Sequence, residues 1–204
     1  MSKHAWFMPR DEDVLALMRA QAQTVADVVG TVDGWASGSV DLEDTVTAAH
    51  HLLDTARTQR STVVDAVQQS FSVPIEPEDA YELAERLGEV AHRSYALLRE
   101  LQLNGLTATP ALAGMCACAH ASAQATSRAI AALPSAGASA VADEAARALD
   151  PGDHHLRVGI KAMHDQDDLR YEMRMRTTLR RAEALLDACA HAAHRVRYAV
   201  AKET

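Results

Sequence analysis

Carboxylate and imidazole side chains recur at helical spacing in two parts of this sequence. The first set, spaced by four and three residues, is Glu85, Glu89 and His92; the second, spaced by four, four and three, is Glu183, Asp187, His191 and His194. Residues three and four apart share one face of an α-helix. Oxygen and nitrogen ligands suit hard or borderline cations, and facing helices of a bundle could bring the two sets together. The spacing therefore indicates a candidate metal site.

A solvated face is the competing interpretation of the same spacing. Acids four residues apart on exposed helices commonly pair with arginines, and five lie close by in the sequence: Arg86, Arg93, Arg180, Arg181 and Arg195. The segment from Glu89 to His92 is an E-x-x-H element of the type that ferritin-like di-metal bundles use in pairs. No second copy occurs in the chain. Spacing alone leaves both interpretations open.

The other candidate residues give weaker signals. Two histidine pairs occur, His50–His51 and His154–His155, but adjacent residues diverge by about 100° on a helix, so one of each pair at most faces a given site. The segment from Cys116 to Cys118 lies in an alanine-rich region, where cysteine commonly packs as a small apolar residue. No phosphate-binding glycine loop and no nucleophile motif is found. We therefore predict that the protein is not an enzyme.

Composition favours an all-α protein. Hydrophobic residues make up 48% of the 204 residues, aromatic residues only 4%, and alanine is abundant. The net charge of -8 argues against nucleic acid as the main partner. Three cysteines without a CxxC motif suit a reducing compartment. No apolar run has the length of a signal peptide or a membrane span. We expect a cytoplasmic location, with contact at the inner face of the membrane left open.

Periodicity and capping signals predict six helices. The first follows Pro9, with Asp11, Glu12 and Asp13 in its first turn, and the second runs from Asp41 to about Phe71. The third runs from Pro77 to Asn104, the fourth from Pro110 to Pro134, the fifth from about Ala140 to Met163 and the sixth from Asp165 to the end. Pro151 and Gly152 should kink or break the fifth helix. Three helices before residue 105 and three after 109 suggest two related halves, residues 10–105 and 109–204, in one domain.

The junction between the second and third helices is unusually apolar for a connection. Phe71, Val73 and Ile75 alternate beside Pro74 and Pro77, which bias the preceding residues away from helix. We predict a buried corner that ends one helix and starts the next. The adjoining acids are expected to favour the N-terminus of the third helix; they are Glu76, Glu78 and Asp79.

This junction also carries a family resemblance. The stretch FSVPIEPEDAYELAERLGEV resembles a segment of the PhoU-like family that accompanies low-affinity inorganic-phosphate permeases. The matching positions are Phe71, Pro74, Ile75, Glu76, Glu78, Asp79, Leu83 and Leu87. The stretch PRDEDVLALMRAQA looks like the opening of an actinobacterial branch, and residues 167–203 resemble the final helix of the family. The resemblance covers most of the chain and is weakest over the fourth helix.

The resemblance implies a fold and a role. The fold is PhoU-like, all-α, with six helices in two pseudo-repeated antiparallel three-helix bundles. Members are thought to regulate or assist phosphate uptake, and some bind multinuclear metal clusters through E/D-x-x-x-D motifs on the bundle faces. The implied partner is a phosphate permease or another membrane transporter on its cytoplasmic side.

The metal motifs of the family are only partly present here. Glu183 and Asp187 match one E-x-x-x-D motif, and Asp153 matches the final acid of another, whose leading position is Leu149. In the first half the expected acids fall at Leu53, Arg57, Gly88, Glu89 and His92. Because an arginine opposes cation binding, we expect that the first half has lost its site. The second half keeps a candidate site, and its tentative ligands are Asp153, Glu183, Asp187 and His191, with Glu85, Glu89 and His92 as weaker candidates.

Three hypotheses follow. The first is a cytoplasmic accessory or regulatory protein of phosphate transport that acts by protein contact and is modulated by metal. The second is a carboxylate/histidine bundle that binds Fe, Mn, Zn or Mg. The third is a ligand-free helical scaffold that forms a homodimer through its alanine-rich fourth helix.

Overall fold

The computed structural model describes residues 13–69, 75–165 and 167–202, and the regular structure within these ranges is entirely α-helical. Seven helices are present there: α1 (Val14–Ala36), α2 (Leu42–Gln69), α3 (Pro77–Asn104), α4 (Pro110–Ala131), α5 (Gly137–Arg147), α6 (Gly152–His164) and α7 (Leu169–Lys202). The predicted all-α class is therefore confirmed. None of these helices combines the length and apolar character needed to cross a bilayer.

The predicted fifth helix is divided into α5 and α6 by the turn that contains Pro151. The predicted kink or break is thus a break. Proline lacks the N–H that would continue the helical hydrogen bonds. Gly152 is also required by packing, because a Cβ atom there would lie 2.8 Å from Leu186 Cδ1 of α7. The absence of a side chain at Gly152 lets α6 begin directly against α7.

Most of the predicted helix ends are confirmed. Pro77 opens α3, and Gly105 ends it with a φ of +58°, in the left-handed region that favours glycine. Thr109 caps α4 by accepting a hydrogen bond from the Leu112 N–H at 3.3 Å. In α1, however, Asp13 is the N-cap and precedes the first turn, while residues 11 and 12 lie outside the described ranges.

The start of the last helix differs from the prediction by three residues. Asp168, not Asp165, accepts the backbone N–H groups of Arg170 and Tyr171 at the beginning of α7. Asp165 instead follows the last residue of α6. Both belong to the same acidic stretch, and the pattern alone does not distinguish which acid reaches the free N–H groups.

One hydrophobic core joins all seven helices. Within the first three helices every pair is in contact, α4 and α7 each contact α5 and α6, and the contacts of α1 with α4 and of α3 with α7 connect the two groups. The continuous cluster of buried apolar residues includes members of every helix. Alanine is frequent in it, which allows close approach of the helix backbones. The division into halves 10–105 and 109–204 stays a prediction.

The junction before α3 is only partly described, because residues 70–74 lie outside the described ranges. Ile75 is buried, with 1% of its surface exposed. Glu78 and Asp79 lie in the first turn of α3, as the sequence predicts. Asp79 is nevertheless 1% exposed and pairs with Arg195 of α7, and Glu76 pairs with Lys202. These acids therefore hold α7 as well as the helix N-terminus.

Candidate functional site

A groove of about 650 Å³ lies between α3 and α7 and is called here the α3–α7 groove. Ala184 and Ala188 of α7 contribute small side chains to it. The remaining lining is charged or aromatic and comprises Tyr81, Glu82, Glu85, Arg86, Glu89 and Arg93 of α3 and Asp187 and His191 of α7. The groove therefore brings together members of both acid–histidine sets that the sequence singles out, namely Glu85, Glu89, Asp187 and His191.

Arginines neutralise the acids on the α3 side of this groove. Arg93 Nε lies 2.6 Å from Glu89 Oε1, and Arg86 Nη2 lies 3.0 Å from Glu82 Oε1. These pairs follow the i,i+4 spacing, as the solvated-face interpretation expects. Asp187 and His191 make no ion pair within the described part of the chain. The α3–α7 groove thus has alternating charges on one wall and an unpaired acid and imidazole on the other.

A second cleft, of about 330 Å³, lies between α2 and α3. Its lining includes all five positions that align with the metal motif in the first half: Leu53, Arg57, Gly88, Glu89 and His92. Arg60 of α2 also enters it and donates to both carboxylate oxygens of Glu85, at 2.9 and 3.2 Å. Two guanidinium groups therefore face this cleft. They repel a metal cation electrostatically, so the residues present do not fit a metal cluster there.

Gly88 makes room for this arrangement. A Cβ atom at Gly88 would lie 3.2 Å from Arg60 Cδ, tighter than ordinary van der Waals contact. The glycine that replaces a ligand acid therefore also allows the Arg60 side chain to cross from α2 to Glu85. A guanidinium group held between two helices, with 41% of the Arg60 side chain exposed, lies in the cleft where the resemblance implies a metal.

A third cleft, of about 250 Å³, lies between α6 and α7 and is more apolar. Its lining combines Leu156, Ile160, Met163 and Leu179 with His164, Arg176, Arg180 and Glu183. Asp153 is exposed at the start of α6 and pairs with Arg157. The tentative ligands of the second half are therefore divided: Glu183 lines this cleft, whereas Asp187 and His191 line the α3–α7 groove.

No three side chains of Asp, Glu, His or Cys converge in the described ranges to a point where they could hold a metal ion. In the second half, the carboxylate and imidazole groups are ligand types that suit a cation. The side chains of Glu183 and Asp187 would have to move towards each other to coordinate the same ion. Metal binding there stays a prediction.

The sequence reasoning missed a cluster that links the start of α3 to the end of α7. Arg195, whose side chain is 16% exposed, pairs with the buried Asp79 and places Nη1 2.9 Å from Glu82 Oε2. Lys202 Nζ lies 2.6 Å from Glu76 Oε2, and the Tyr198 ring lies 5.0 Å from the Arg195 guanidinium. We call these residues the Arg195 cluster. Asp79 and Arg195 are 116 positions apart, so no local pattern predicts their contact.

The Arg195 cluster changes the acid–base properties of its members. The hydrogen bond from Arg86, supported by the charge of Arg195, holds the pKa of Glu82 below its ordinary value, although partial desolvation opposes the shift. The hydrogen bond to Glu76 raises the pKa of Lys202. Both shifts favour the charged forms. The contacts of Glu82 and Lys202 therefore stabilise these two side chains as ions.

The cysteines are buried, whereas three of the four paired histidines, His50, His51 and His154, are exposed. Burial raises the pKa of Cys116 and Cys189 to about 12, and it also raises the pKa of Cys118. These thiols are therefore protonated at neutral pH and are poor nucleophiles. His155 packs over Gly114 of α4, while His50 Nδ1 lies 3.4 Å from Asp54.

Comparison with known proteins identifies the architecture. No protein-family model matches the sequence, and a search of curated proteins finds no significant relative. Two solved structures from Shewanella oneidensis MR-1 are similar. A PhoU-like protein superposes with a TM-score of 0.77 at 13% identity, covering 92% of this chain and 99% of its own. A PhoU-like phosphate regulatory protein superposes with a TM-score of 0.69 at 16% identity, covering 93% and 99%.

These likenesses show that the chain has the PhoU-like fold. The resemblance stated from the sequence is thus confirmed at the level of the fold. The actinobacterial branch and the association with a permease are not addressed by these two structures and stay predictions.

Proposed function

We propose that this protein is a cytoplasmic accessory or regulatory protein of inorganic phosphate transport that acts by contact with a membrane transporter. The observation that carries the proposal is the likeness over nearly the whole chain to a PhoU-like phosphate regulatory protein. The buried, protonated thiols agree with a role that does not involve catalysis. In this proposal the protein meets the transporter at the inner face of the membrane.

The α3–α7 groove is the proposed contact surface. The small side chains of Ala184 and Ala188 leave room for a helix or an extended segment of the transporter. Arg86 and Arg93 alternate with Glu85 and Glu89 along one wall, so the best-matched occupant carries charges of both signs. Such a surface would select its partner by the order of positive and negative charges along the partner segment rather than by the apolar area that it buries.

The proposal is tested by measuring phosphate uptake and transporter co-purification in the host. Ala184→Arg places a long charged side chain in the groove, whereas Ala140→Arg makes the same change on the exposed surface of α5 and serves as the matched control. We expect deletion of the gene to change the rate of phosphate uptake or its response to external phosphate. Ala140→Arg should restore the wild-type behaviour, and Ala184→Arg should not.

Two results would overturn the proposal. Phosphate uptake that is identical in the deletion strain and the parent, at both high and low external phosphate, would exclude a role in transport. Full complementation by Ala184→Arg, with the phosphate permease co-purifying as before, would exclude the groove as the contact surface.

Metal binding by the second half is a second candidate function, and the unpaired Asp187 and His191 favour it. Metal analysis of protein purified without chelator or nickel tests it. Stoichiometric Fe, Mn, Zn or Mg that is lost in Glu183→Ala/Asp187→Ala would support this candidate. Metal-free protein whose melting temperature stays constant on titration with each ion would exclude it.

Dimerisation through α4 has less support in the structure. This helix contacts α1, α5, α6 and α7 within one chain, so most of its surface is already covered. Ala117 and Ala121 are among its exposed residues. The mass of the protein in solution, measured by light scattering, distinguishes a scaffold dimer from a monomer.

A further inference from the structure

The N-terminal half of α7 is strongly basic in an otherwise acidic protein. Residues 169–182 carry five arginines and a single glutamate, whereas the whole chain has a net charge of -8. All five guanidinium-bearing residues are exposed, and they are Arg170, Arg174, Arg176, Arg180 and Arg181. We call this surface the basic face of α7.

Much of this positive charge is not neutralised. Arg176 pairs with Glu172 at 2.7 Å, and Arg181 lies 3.7 Å from Glu100 Oε2. Arg174 donates to the Asn104 carbonyl oxygen at 2.9 Å, which leaves its charge uncompensated. Arg170 and Arg180 have no ion pair within the described ranges. The basic face therefore presents a net positive charge to solvent.

Large apolar side chains lie on the same outward surface. Leu169, Met173, Arg176 and Arg180 follow the i, i+4, i+7, i+11 spacing of one helical stripe. Leu169 is 69% exposed and Met173 is 64% exposed, which is unusual for side chains of this size. Two members of this stripe, Arg176 and Arg180, also line the apolar cleft between α6 and α7. Apolar contact area is thus interleaved with two exposed guanidinium groups, of which that of Arg180 has no ion pair within the described ranges.

We propose that the basic face of α7 binds the surface of an anionic lipid bilayer. Guanidinium groups pair with lipid phosphates in bidentate geometry, and exposed apolar side chains enter the boundary between headgroups and acyl chains. The combination distinguishes a bilayer from an acidic protein segment, which would match the arginines but leave Leu169 and Met173 exposed. The cleft between α6 and α7 can receive part of an acyl chain between its two arginines.

The acids near the basic face define its orientation. Asp165, Asp167 and Asp168 lie just before the first turn of α7 and would repel an anionic surface. The bilayer must therefore lie along the side of α7 rather than across its tip. This proposal names a lipid surface and not the transporter, so it stands or falls independently of the proposed function.

Co-sedimentation of the purified full-length protein with vesicles tests the proposal. We expect binding to vesicles of equal parts phosphatidylcholine and phosphatidylglycerol, no binding to phosphatidylcholine alone, and loss of binding at about 0.5 M salt. Arg176→Gln/Arg180→Gln should weaken binding about thirtyfold, from about fivefold per arginine at an anionic surface. Arg57→Gln/Arg128→Gln makes the same charge change on α2 and α4, and binding should stay within about twofold of wild type.

The apolar part of the contact has its own variant. Met173→Gln keeps the charge and should weaken binding about fivefold, because the side chain no longer favours the headgroup boundary. Circular dichroism and melting of each variant establish that it is folded. The binding of Met173→Gln, which keeps all the arginines, should fall more steeply with added salt than that of Arg176→Gln/Arg180→Gln, since the arginines supply the salt-sensitive part.

Several outcomes would overturn the proposal. These are absence of binding to the anionic vesicles at low salt, equal binding to neutral vesicles, or equal loss in the two double variants. Binding to soluble polyglutamate without binding to vesicles would assign the basic face to an acidic protein. Release from vesicles by inorganic phosphate beyond the effect of chloride at equal ionic strength would assign it to the free anion.

Discussion

Arg195 connects α7 to α3 through a buried ion pair. Asp79 is almost completely buried, and removal of Arg195 would leave its carboxylate with only the longer contact to Lys202, whose Nζ lies 3.6 Å from Oδ2. Breaking a buried pair on one side costs about 3 kcal/mol or more, because the remaining charge stays desolvated. We therefore expect Arg195→Ala to lower the free energy of unfolding by about 3 kcal/mol in urea denaturation.

The control for Arg195 is a neighbouring arginine on the same helix. Arg197 pairs with Asp143 of α5, but both side chains are substantially exposed. Exposed pairs contribute about 0.5 kcal/mol, so Arg197→Ala should change little. Asp79→Leu/Arg195→Met should recover much of the loss by replacing both charges with apolar groups. Equal effects of Arg195→Ala and Arg197→Ala would contradict this account.

Glu82 gives the Arg195 cluster a pH dependence with a defined sign. Its folded-state pKa is lowered, chiefly by the hydrogen bond from Arg86. Its contribution to stability is therefore present above the ordinary glutamate pKa and is lost as pH falls through the folded-state value. We expect Glu82→Gln to be less stable than wild type at pH 7, with the difference disappearing as the pH falls through the lowered folded-state pKa of Glu82.

The Glu82 prediction is checked by urea denaturation of both proteins between neutral and acid pH. Repeating the comparison in an Arg86→Gln background should reduce the difference at pH 7, because the principal cause of the shift is removed. A difference between Glu82→Gln and wild type that stays constant across the whole pH range would contradict the predicted sign.

The ion pairs between charged side chains on different helices were the feature least predictable from the sequence. Helical spacing correctly placed Glu85 and Glu89 on one face, and the structure shows them in a groove with Asp187 and His191. It did not reveal that Arg60 reaches Glu85 from another helix, since that contact depends on the space above Gly88. Long-range ion pairs are set by tertiary packing, which no local pattern encodes.

Gly114 determines how closely α6 can approach α4. A Cβ atom at this position would lie 2.4 Å from two ring atoms of His155, so an alanine forces the imidazole or the helix to move. Overpacking of this kind costs about 1–3 kcal/mol. We expect Gly114→Ala to destabilise the protein by about this amount in thermal or urea unfolding.

A second variant isolates the packing effect at Gly114 from helix propensity. In a His155→Ala background the clash is absent, and alanine should instead stabilise α4 by up to about 1 kcal/mol relative to glycine. The effect of Gly114→Ala should therefore reverse in sign. Destabilisation of the same size in both backgrounds would show that His155 is not the obstacle.

Helix boundaries were largely predictable because capping is a local interaction. Pro77, Gly105 and Thr109 each have the predicted role at a helix end. The exact acid that caps α7 was not predictable, because Asp165, Asp167 and Asp168 are equivalent in type and differ only in reach. Local sequence patterns thus predict that a helix is present more reliably than they predict the residue at which it begins.

At the scale of the whole molecule, the net charge does not show how the charged residues are distributed over the surface. A net charge of -8 argues against nucleic acid as the main partner, yet the basic face of α7 lies within the same chain. The sequence contained this information in the run of arginines after Leu169. Their common outward direction became evident only when the buried side of α7 was known.

The continuous core predicts how the molecule unfolds. Apolar residues from the seven described helices form one cluster. Two hydrogen bonds also join residues before position 105 to residues after position 109. Arg19 donates to the Leu133 carbonyl oxygen at 3.0 Å, and Arg174 donates to the Asn104 carbonyl oxygen at 2.9 Å. Neither half can lose its structure without exposing buried surface of the other. We therefore expect one calorimetric transition in which the van't Hoff and calorimetric enthalpies agree.

Fragments provide the sharper form of this test. A chain of residues 1–107 keeps α1, α2 and α3 but exposes the surfaces of α1 and α3 that contact α4 and α7 in the intact protein. Because α1 and α3 share one buried apolar core with α4 and α7, the fragment should lack a cooperative transition and should bind hydrophobic dyes. Two resolved transitions in the full chain, or cooperative melting of the fragment, would mean that each half folds alone. The contacts between halves would then be an interface between two folding units rather than part of a single core.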